Sequence, residues 1–455
     1  MNIVLDFSFF YDLLEMPPLE MLWFLFSHGG WVIFLIIFLK FAWDFYVFYI
    51  QERYRENTKY VLLAIDVPKE NMQGPKAVEQ IFASLAAAQS SGNLIDKYIE
   101  GYTQRPFSLE IVSLGGYIQF LIRTPEKFRD LAEAAFYAQY PDAEISEVDD
   151  YAKETPNLFP DKEYDLWGTE LVFYNKDAYP IRTYPSFEDK MAKDLKFKDP
   201  IASLLEVLGK MTEGEQLWLQ IIITPCKSDW KDKGVNEVKK LIGQKVKVKT
   251  NLMDDILNSP IKLLQELGSI IIPQESSEKP KKEEPHSLMT YLSPGEKDVA
   301  GAMQEKLSKT GFKSKFRVIY LAKKEFSQKG KAISGIFGAL QQFNTLNMNG
   351  FKPDGKTKTS VDYWFVKTRV AARQKRIMAN YKNRSNMEPF FILNTEELAT
   401  LFHFPTVELK APLLKRVEMK RGEAPSILPT TEKSLKEKKE DDKKGGPPGN
   451  LPIIE

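Results

Sequence analysis

Residues 21–39 read MLWFLFSHGGWVIFLIIFL and contain no Asp, Glu, Lys or Arg. Nineteen residues of α-helix extend about 28 Å, close to the thickness of the hydrocarbon core of a bilayer. Aromatic residues that typically anchor helices at membrane interfaces follow this run, at Trp43, Tyr46 and Tyr49. The stretch therefore predicts a single transmembrane anchor within residues 17–50.

The charges on the two sides of this anchor differ. The residues before it carry four acidic groups and no Lys or Arg, whereas the residues after it carry Lys40, Arg53, Arg55 and Lys59. The positive-inside rule then places the N-terminus outside the cell (inner) membrane and the following domains in the cytoplasm. A cleaved signal peptide is disfavoured because the N-terminus is acidic and no Ala-x-Ala-like site follows the apolar run.

Composition restricts the chemistry that the chain can carry. The net charge of +1 over 455 residues provides no general attraction to nucleic acid. Cys226 is the single cysteine, which excludes an intramolecular disulfide and any zinc site that needs two thiolates. The three histidines, His28, His286 and His403, lack metal-ligand spacing. We therefore predict a protein that is not an enzyme and has no metal or cofactor.

Residues 59–149 show an alternation of short strands and helices. A β-rich run at 59–67 precedes a helical pattern at 75–89, and two strands at 108–114 and 117–123 flank the turn Gly115-Gly116. Thr124 is a candidate cap for the next helix, with Pro125 at its first position, and a last strand covers 144–148. This β-α-β-β-α-β order predicts a ferredoxin-like domain over residues 51–150.

A second, more loosely written copy of the same order covers residues 160–228 and 288–347. Its clearest helix signal is the capping box Ser293-Pro-Gly-Glu296. Residues 229–287 form an insertion with an amphipathic helix at 252–267 and a polar linker at 275–285, which we expect to be disordered.

The two ends of the chain complete the expected organisation. Residues 1–16 predict a short interfacial helix, and the charged, Gly- and Pro-rich residues 430–455 predict a disordered tail. The fold class is thus α+β: one N-terminal transmembrane helix, two ferredoxin-like α/β sandwich repeats and a partly disordered C-terminal tail.

Residues 350–357, GFKPDGKT, match the P-loop pattern GxxxxGK[ST]. A working P-loop needs a buried apolar strand before it and a helix after it, so that backbone N–H groups converge on the phosphates. Residues 344–349 are polar, and Asp354 would place a carboxylate against the phosphates. We therefore interpret the match as a polar loop.

Residues 348–429 combine a basic segment with a C-terminal helix, which Asn394 and Glu397 cap. The basic segment contains seven cations without an acidic residue between them: Lys367, Arg369, Arg373, Lys375, Arg376, Lys382 and Arg384. Aromatic residues precede it at 363–365. Three interpretations stay open: a solvated helix face, a nucleic-acid contact, and a contact with anionic lipid or an acidic partner.

Four segments carry a resemblance to a known protein region: 108–125 (SLEIVSLGGYIQFLIRTP), 137–145 (YAQYPDAEI), 341–353 (QQFNTLNMNGFKP) and 393–405 (LNTEELATLFHFP). They resemble the membrane-anchored region that precedes a HerA/FtsK-like ATPase, annotated for type IV secretion or conjugative DNA transfer, in small-genome bacteria. The resemblance covers roughly residues 20–430. After residues 425–429, where the motor of the fused form would begin, only the tail remains, so no nucleotide-binding residue can be carried over.

The resemblance implies a membrane-anchored, non-catalytic component of a translocation system that docks a separate HerA/FtsK-type ATPase. Membrane lipid and that ATPase are the expected partners, and DNA contact and self-association stay open. The alternative is a membrane scaffold or envelope protein without a motor.

Overall fold

The computed structural model describes residues 17–27, 31–68, 71–187, 199–244 and 292–406. The predicted interfacial helix at 1–16, the amphipathic run at 252–267, the linker at 275–285 and the tail at 430–455 lie outside these residues, as does His28. The chain divides into two compact units, Met1–Lys59 with Ser90–Gln104, and Tyr60–Gln89 with Arg105–Glu455.

Among its described residues, the first unit contains the α-helices α1 (Pro18–Leu25) and α2 (Trp31–Glu56). Within the described residues, α2 is the helix long and apolar enough to cross a membrane, and none of its apolar window in Phe34–Glu56 is buried. A helix of membrane length near the N-terminus is therefore confirmed, but it covers Trp31–Glu56, whereas the prediction placed the apolar span at residues 21–39. Arg53 and Arg55 occupy its last turn, where cations interact favourably with the helix dipole.

A short segment, Ser90–Gln104, completes this unit by packing along the second half of α2. The ring of Tyr98 lies 5.6 Å from that of Trp43, and the ring of Tyr102 lies 5.7 Å from that of Tyr54. Gly101 has a φ of +74°, and a Cβ there would lie 2.3 Å from the carbonyl oxygen of Ile50. Glycine is therefore required where this segment touches the helix backbone.

The second unit is built on one antiparallel sheet. Its strands are β1 (Tyr60–Asp66), β2 (Phe107–Leu114), β3 (Tyr117–Pro125), β4 (Glu144–Glu147), β5 (Tyr164–Phe173), β6 (Glu215–Pro225), β7 (Gly311–Lys323), β8 (Phe351–Pro353) and β9 (Phe391–Asn394). The order across the sheet is β4-β1-β3-β2-β6-β7-β5-β8, and β9 pairs with the start of β7. If β5 to β8 are matched in chain order with β1 to β4, the order β8-β5-β7-β6 corresponds to β4-β1-β3-β2. Each of the two orders is read from its own edge of the sheet towards the middle.

The two halves of the sheet meet where β2 pairs with β6. Eight residue pairs join them, from Phe107 with Ile223 to Leu114 with Gln216. Both strands are buried along almost their whole length, as expected for central strands. The sheet is therefore continuous through the middle of the unit.

Helices cover both faces of this sheet. They are α3 (Pro75–Leu85), α4 (Arg129–Gln139), α5 (Ala202–Gly209), α6 (Asp229–Leu241), α7 (Pro294–Ser308), α8 (Lys329–Gln341), α9 (Val366–Lys382) and α10 (Thr395–Leu401). Helices α3, α4, α5, α8 and α10 share the larger apolar core with one face. Helix α9 packs on the opposite face, and α6 and α7 form a small cluster with Ala178.

Two local predictions are wrong. Thr124 and Pro125 do not begin a helix, because they pair with Val61 and Tyr60 as the end of β3, and α4 starts at Arg129. The apolar residues at 171–174 predict the first strand of the second half, but the strand that contains most of them begins at Tyr164. Gly168 lies within it and leaves room for the close approach of neighbouring backbone, since a Cβ there would lie 3.2 Å from the carbonyl oxygen of Val318.

Candidate docking surface and the charge network beneath it

Helix α9 is amphipathic because its buried residues recur every three or four positions. They are Gln374, Ile377, Met378 and Tyr381. The Tyr381 ring lies 5.2 Å from that of Trp218 on β6, and the Gln374 amide donates to the carbonyl oxygen of Leu166 over 2.7 Å. The helix is thus fixed to the sheet by its second half.

The seven predicted basic residues separate into distinct environments. Four side chains are exposed, Arg373 and Lys382 are partly buried, and Arg384 is buried; the exposed four are Lys367, Arg369, Lys375 and Arg376. Lys382 donates to the carbonyl oxygen of Thr155 and to Asn157, both over 2.6 Å, and burial lowers its pKa. The structure therefore places four of the seven where a large partner could reach them freely.

Three aromatic side chains, Tyr363, Trp364 and Phe365, immediately precede α9, and we call them the aromatic tip. Their exposed fractions are 83%, 81% and 79%. Tyr363 and Phe365 have φ values of +65° and +55°, a left-handed conformation that costs L-residues roughly 1–2 kcal/mol each. Exposed apolar rings on strained backbone are typical of functional surfaces.

The segment that leads to the aromatic tip is bound to the body of the unit. The guanidinium of Arg373 donates to the carbonyl oxygen of Lys358, and that of Arg376 to the carbonyl oxygen of Lys356, both over 2.7 Å. The hydroxyls of Thr357 and Thr359 accept from backbone N–H groups of β5 over 3.0 and 3.1 Å. The aromatic tip is therefore presented from a fixed base.

The P-loop match lies in the same region and has a structural role. Residues 351–353 form β8, which pairs with the end of β5. The carboxylate of Asp354 accepts from the backbone N–H of Lys356 over 3.0 Å, as in a polar turn. The next described helix begins only at Val366. No helix N-terminus in the described residues thus follows the match closely enough to hold phosphate.

A row of polar side chains lies beneath α9 and crosses four adjacent strands in direct register: Glu110, Gln220, Arg317 and Glu170. Gln220 donates to Glu110 over 3.0 Å and accepts from Arg317 over 3.0 Å. Arg317 also donates to Glu170 over 2.8 Å. All four side chains are buried, and we call them the polar row.

Arg384 joins the chain segment after α9 to this row. It donates to both carboxylate oxygens of Glu110 over 3.0 and 3.1 Å, and to Asp150 over 2.9 Å. Burial alone would lower the pKa of this guanidinium, but Glu110 and Asp150 raise it above its ordinary value. Lys315 pairs with Glu170 at the other end over 3.2 Å.

The resulting network is balanced in charge, with three carboxylates (Glu110, Asp150, Glu170) and three cations (Arg317, Lys315, Arg384). Its groups are occupied with one another, so it is suited to fixing the fold rather than to transferring protons. Sequence reasoning missed it, although polar residues interrupt apolar strands at Glu110 in SLEIVSL and Gln220 in LWLQIII.

A second buried ion pair fixes the C-terminal part to the sheet. The ammonium of Lys306 lies 3.0 Å from the carboxylate of Glu397 and donates to the carbonyl oxygen of Ile392 over 3.0 Å. Burial raises the pKa of Glu397, while Lys306 and backbone N–H groups oppose that shift. Within the described ranges, no group of three or more His, Cys, Asp or Glu is arranged to hold a metal ion.

Comparison with known protein families gives a match over most of the chain. A family model described as "Domain of unknown function (DUF8128)" matches residues 51–416. The matched range begins in the last turns of α2 and includes the whole sheet, the aromatic tip and α9. No curated protein matches the chain.

Proposed function

Since that match covers most of its length, the chain belongs to the DUF8128 family, and we propose that it is a membrane-anchored adaptor without catalytic activity of its own. The observation that carries this proposal is the aromatic tip beside exposed cations in a chain with a membrane-length helix. The buried titratable groups described above favour a structural role, because they are paired with one another. The proposed function is therefore binding rather than catalysis, and it depends on the exposed residues.

The proposed architecture has two ferredoxin-like units that pair edge to edge. The strand order β4-β1-β3-β2 is that of one such unit, and β8-β5-β7-β6 repeats it. Each half also contributes two helices to the larger core, α3 and α4 from the first and α5 and α8 from the second. This arrangement would create one long platform from two similar sequence segments.

The proposed topology is single-pass in the cell (inner) membrane, with the N-terminus outside and the sheet in the cytoplasm. The cations Lys40, Arg53 and Arg55 on the C-terminal side of the apolar run support this orientation. Protease added to spheroplasts should leave a C-terminal epitope intact. Its digestion there would contradict the orientation.

The partner that we propose is a separate HerA/FtsK-type ATPase, as the sequence resemblance implies. Trp, Tyr and Arg are the residues that most often dominate the energetics of protein interfaces. The aromatic tip and Arg369 provide this combination on a fixed base, so the tip would be the centre of the docking surface and the exposed cations its rim. Self-association through the same surface would produce a homo-oligomer instead.

Co-expression with a HerA/FtsK-like ATPase of the same genome tests this proposal. We expect the wild-type chain to carry the ATPase into the membrane fraction, and the triple variant Tyr363→Asn, Trp364→Gln, Phe365→Asn to lose most of this recruitment. Asn tolerates the left-handed backbone, so the variant should fold. Leu346→Gln, at another fully exposed apolar residue, is the matched control.

An ATPase that stays soluble beside the wild-type chain would contradict the adaptor role and favour a scaffold without a motor.

A nucleic-acid contact makes a different prediction. The affinity for a single-stranded oligonucleotide would then decrease with salt concentration. The steepness of log affinity against log salt would fall by about 0.7 for each phosphate contact removed. Replacing Lys367 and Lys375 by Gln would then reduce the slope, whereas the ATPase interaction depends chiefly on the aromatic tip.

A further inference from the structure

The segment that packs on α2 carries apolar side chains with high exposure. Leu94, Ile95 and Ile99 are 73%, 59% and 67% exposed, and Tyr98 is 39% exposed. They occupy successive turns of a short helical stretch that includes Asp96–Glu100. We call these four residues the apolar turn. In water they would form an uncompensated apolar patch.

The apolar turn is a built feature rather than a loose loop. The backbone N–H of Asp96 donates to the Asn93 side chain over 2.8 Å, and that of Asn93 donates to the Asp96 carboxylate over 2.9 Å. The N–H of Tyr102 closes the turn on the carbonyl oxygen of Asp96 over 2.7 Å. Gly101 then allows the direct backbone approach to α2 at Ile50.

The position of the apolar turn along α2 indicates what covers it. Its Tyr98 ring contacts Trp43, and α2 there changes from an uncharged run to the Lys40–Asp44 ion pair, 3.2 Å apart. Trp43, Tyr46 and Tyr49 are the residue types that favour the boundary between headgroups and acyl chains. A bilayer whose boundary lies at Trp43 would therefore also reach the apolar turn.

We propose that the apolar turn is a second membrane contact, which inserts into the headgroup region of the leaflet from which α2 emerges. The exposed charges of Lys97 and Glu100 on the same stretch can remain among headgroups and water. This contact would fix the depth of α2 and its rotation about its own axis. The inference rests on the proposed membrane anchor, and it concerns the lipid rather than a protein partner.

Fluorescence quenching by depth tests this contact in the full chain. Cys226→Ser removes the single thiol, and Ile99→Cys or Ser91→Cys then provides one site for an environment-sensitive fluorophore. Both positions are exposed, so neither label should disturb folding. The labelled chains are placed in nanodiscs of phosphatidylglycerol and phosphatidylcholine that carry a nitroxide either near the headgroup or near the acyl end.

We expect the shallow nitroxide to quench the label at position 99 at least about twice as strongly as the label at 91, because position 91 lies outside the apolar turn. Interfacial segments insert only about 5–10 Å into the bilayer. The deep nitroxide should quench the label at 99 less than the shallow one does. Equal quenching at 91 and 99 in chains that elute with nanodiscs would overturn this contact alone. Chains that fail to elute with nanodiscs would overturn both the contact and the anchor.

Discussion

Arg384 holds the chain segment after α9 against the sheet through hydrogen bonds to two carboxylates. It ends a run of seven cations, yet its side chain is buried and binds Glu110 and Asp150. Glu110 is 274 residues away, on β2, so no local pattern reveals the pair. The sequence left a solvated face, a nucleic-acid contact and a contact with lipid or an acidic partner open for this segment, and the side chain of Arg384 attaches the end of α9 to the sheet.

Replacing Arg384 should therefore affect stability before it affects binding. Arg384→Met leaves two carboxylates without their cation, and loss of one partner of a buried pair typically costs about 3–5 kcal/mol. Urea unfolding of the full chain in detergent, followed by the total tryptophan fluorescence, to which buried Trp218 contributes, measures this loss. Lys367→Met, on the exposed part of α9, is the matched control and should leave the midpoint nearly unchanged.

Glu110 should make part of this stability depend on pH. Burial would raise the pKa of Glu110, but Arg384, Ser108 and Tyr151 together lower it below its ordinary value. A lowered folded-state pKa adds stability above the unfolded-state pKa of about 4.3, and this contribution is lost as the pH falls through the folded value. The raised pKa of Glu397 affects the pH dependence of stability in the opposite direction. Substitution of Glu110 leaves Glu397 in place, so this effect cancels when the variant is compared with the wild-type chain.

The comparison is between the wild-type chain and Glu110→Gln over pH 7 to pH 3. We expect the difference in unfolding free energy to be constant near neutral pH and to shrink below about pH 4, because Gln does not titrate. A difference that persists unchanged to pH 3 would show that the ionised carboxylate of Glu110 does not contribute as described.

At the scale of elements, local signals in the sequence were sufficient where a helix end or turn is determined by adjacent residues. The capping boxes at Ser293–Glu296 and Asn394–Glu397 are both present, and Gly115-Gly116 forms the β2–β3 turn with positive φ. Thr124-Pro125 carries an equally good helix signal but ends a strand, because pairing with β1 outweighs it. Long-range pairing is not visible in a window of ten residues.

Helix α9 should respond to substitution according to its face. Ile377 is buried against the sheet, whereas Lys375 is exposed two residues earlier. We expect Ile377→Asp to cost several kcal/mol, since it buries an unpaired charge, and Lys375→Asp to change the free energy of unfolding by less than about 1 kcal/mol. Equal urea midpoints for the two variants would show that α9 does not pack as described.

At the scale of the whole molecule, the α+β class could be predicted from the sequence, but the joining of the two halves of the sheet could not. The pairing of β2 with β6 depends on strands about a hundred residues apart, and neither sequence indicates which strand is its partner. The polar row crosses this seam from Glu110 to Gln220, so the halves share hydrogen bonds as well as backbone pairing.

The pairing of β2 with β6 predicts that the two halves of the sheet unfold together. If one half unfolded alone, the other half would be left with the exposed edge of a central strand and with unpaired groups of the polar row. Both effects raise the free energy of the half-unfolded state, so this state should not be populated. In a Cys226→Ser background, a fluorophore at Ser84→Cys reports on the first half and one at Leu346→Cys on the second, both at exposed positions. Urea midpoints and slopes from the two labels should coincide. Leu219→Pro, which removes a backbone donor in the middle of β6, should lower both midpoints by the same amount. Two separate transitions, or a loss confined to the label at 346, would mean that the halves are independent domains that merely touch.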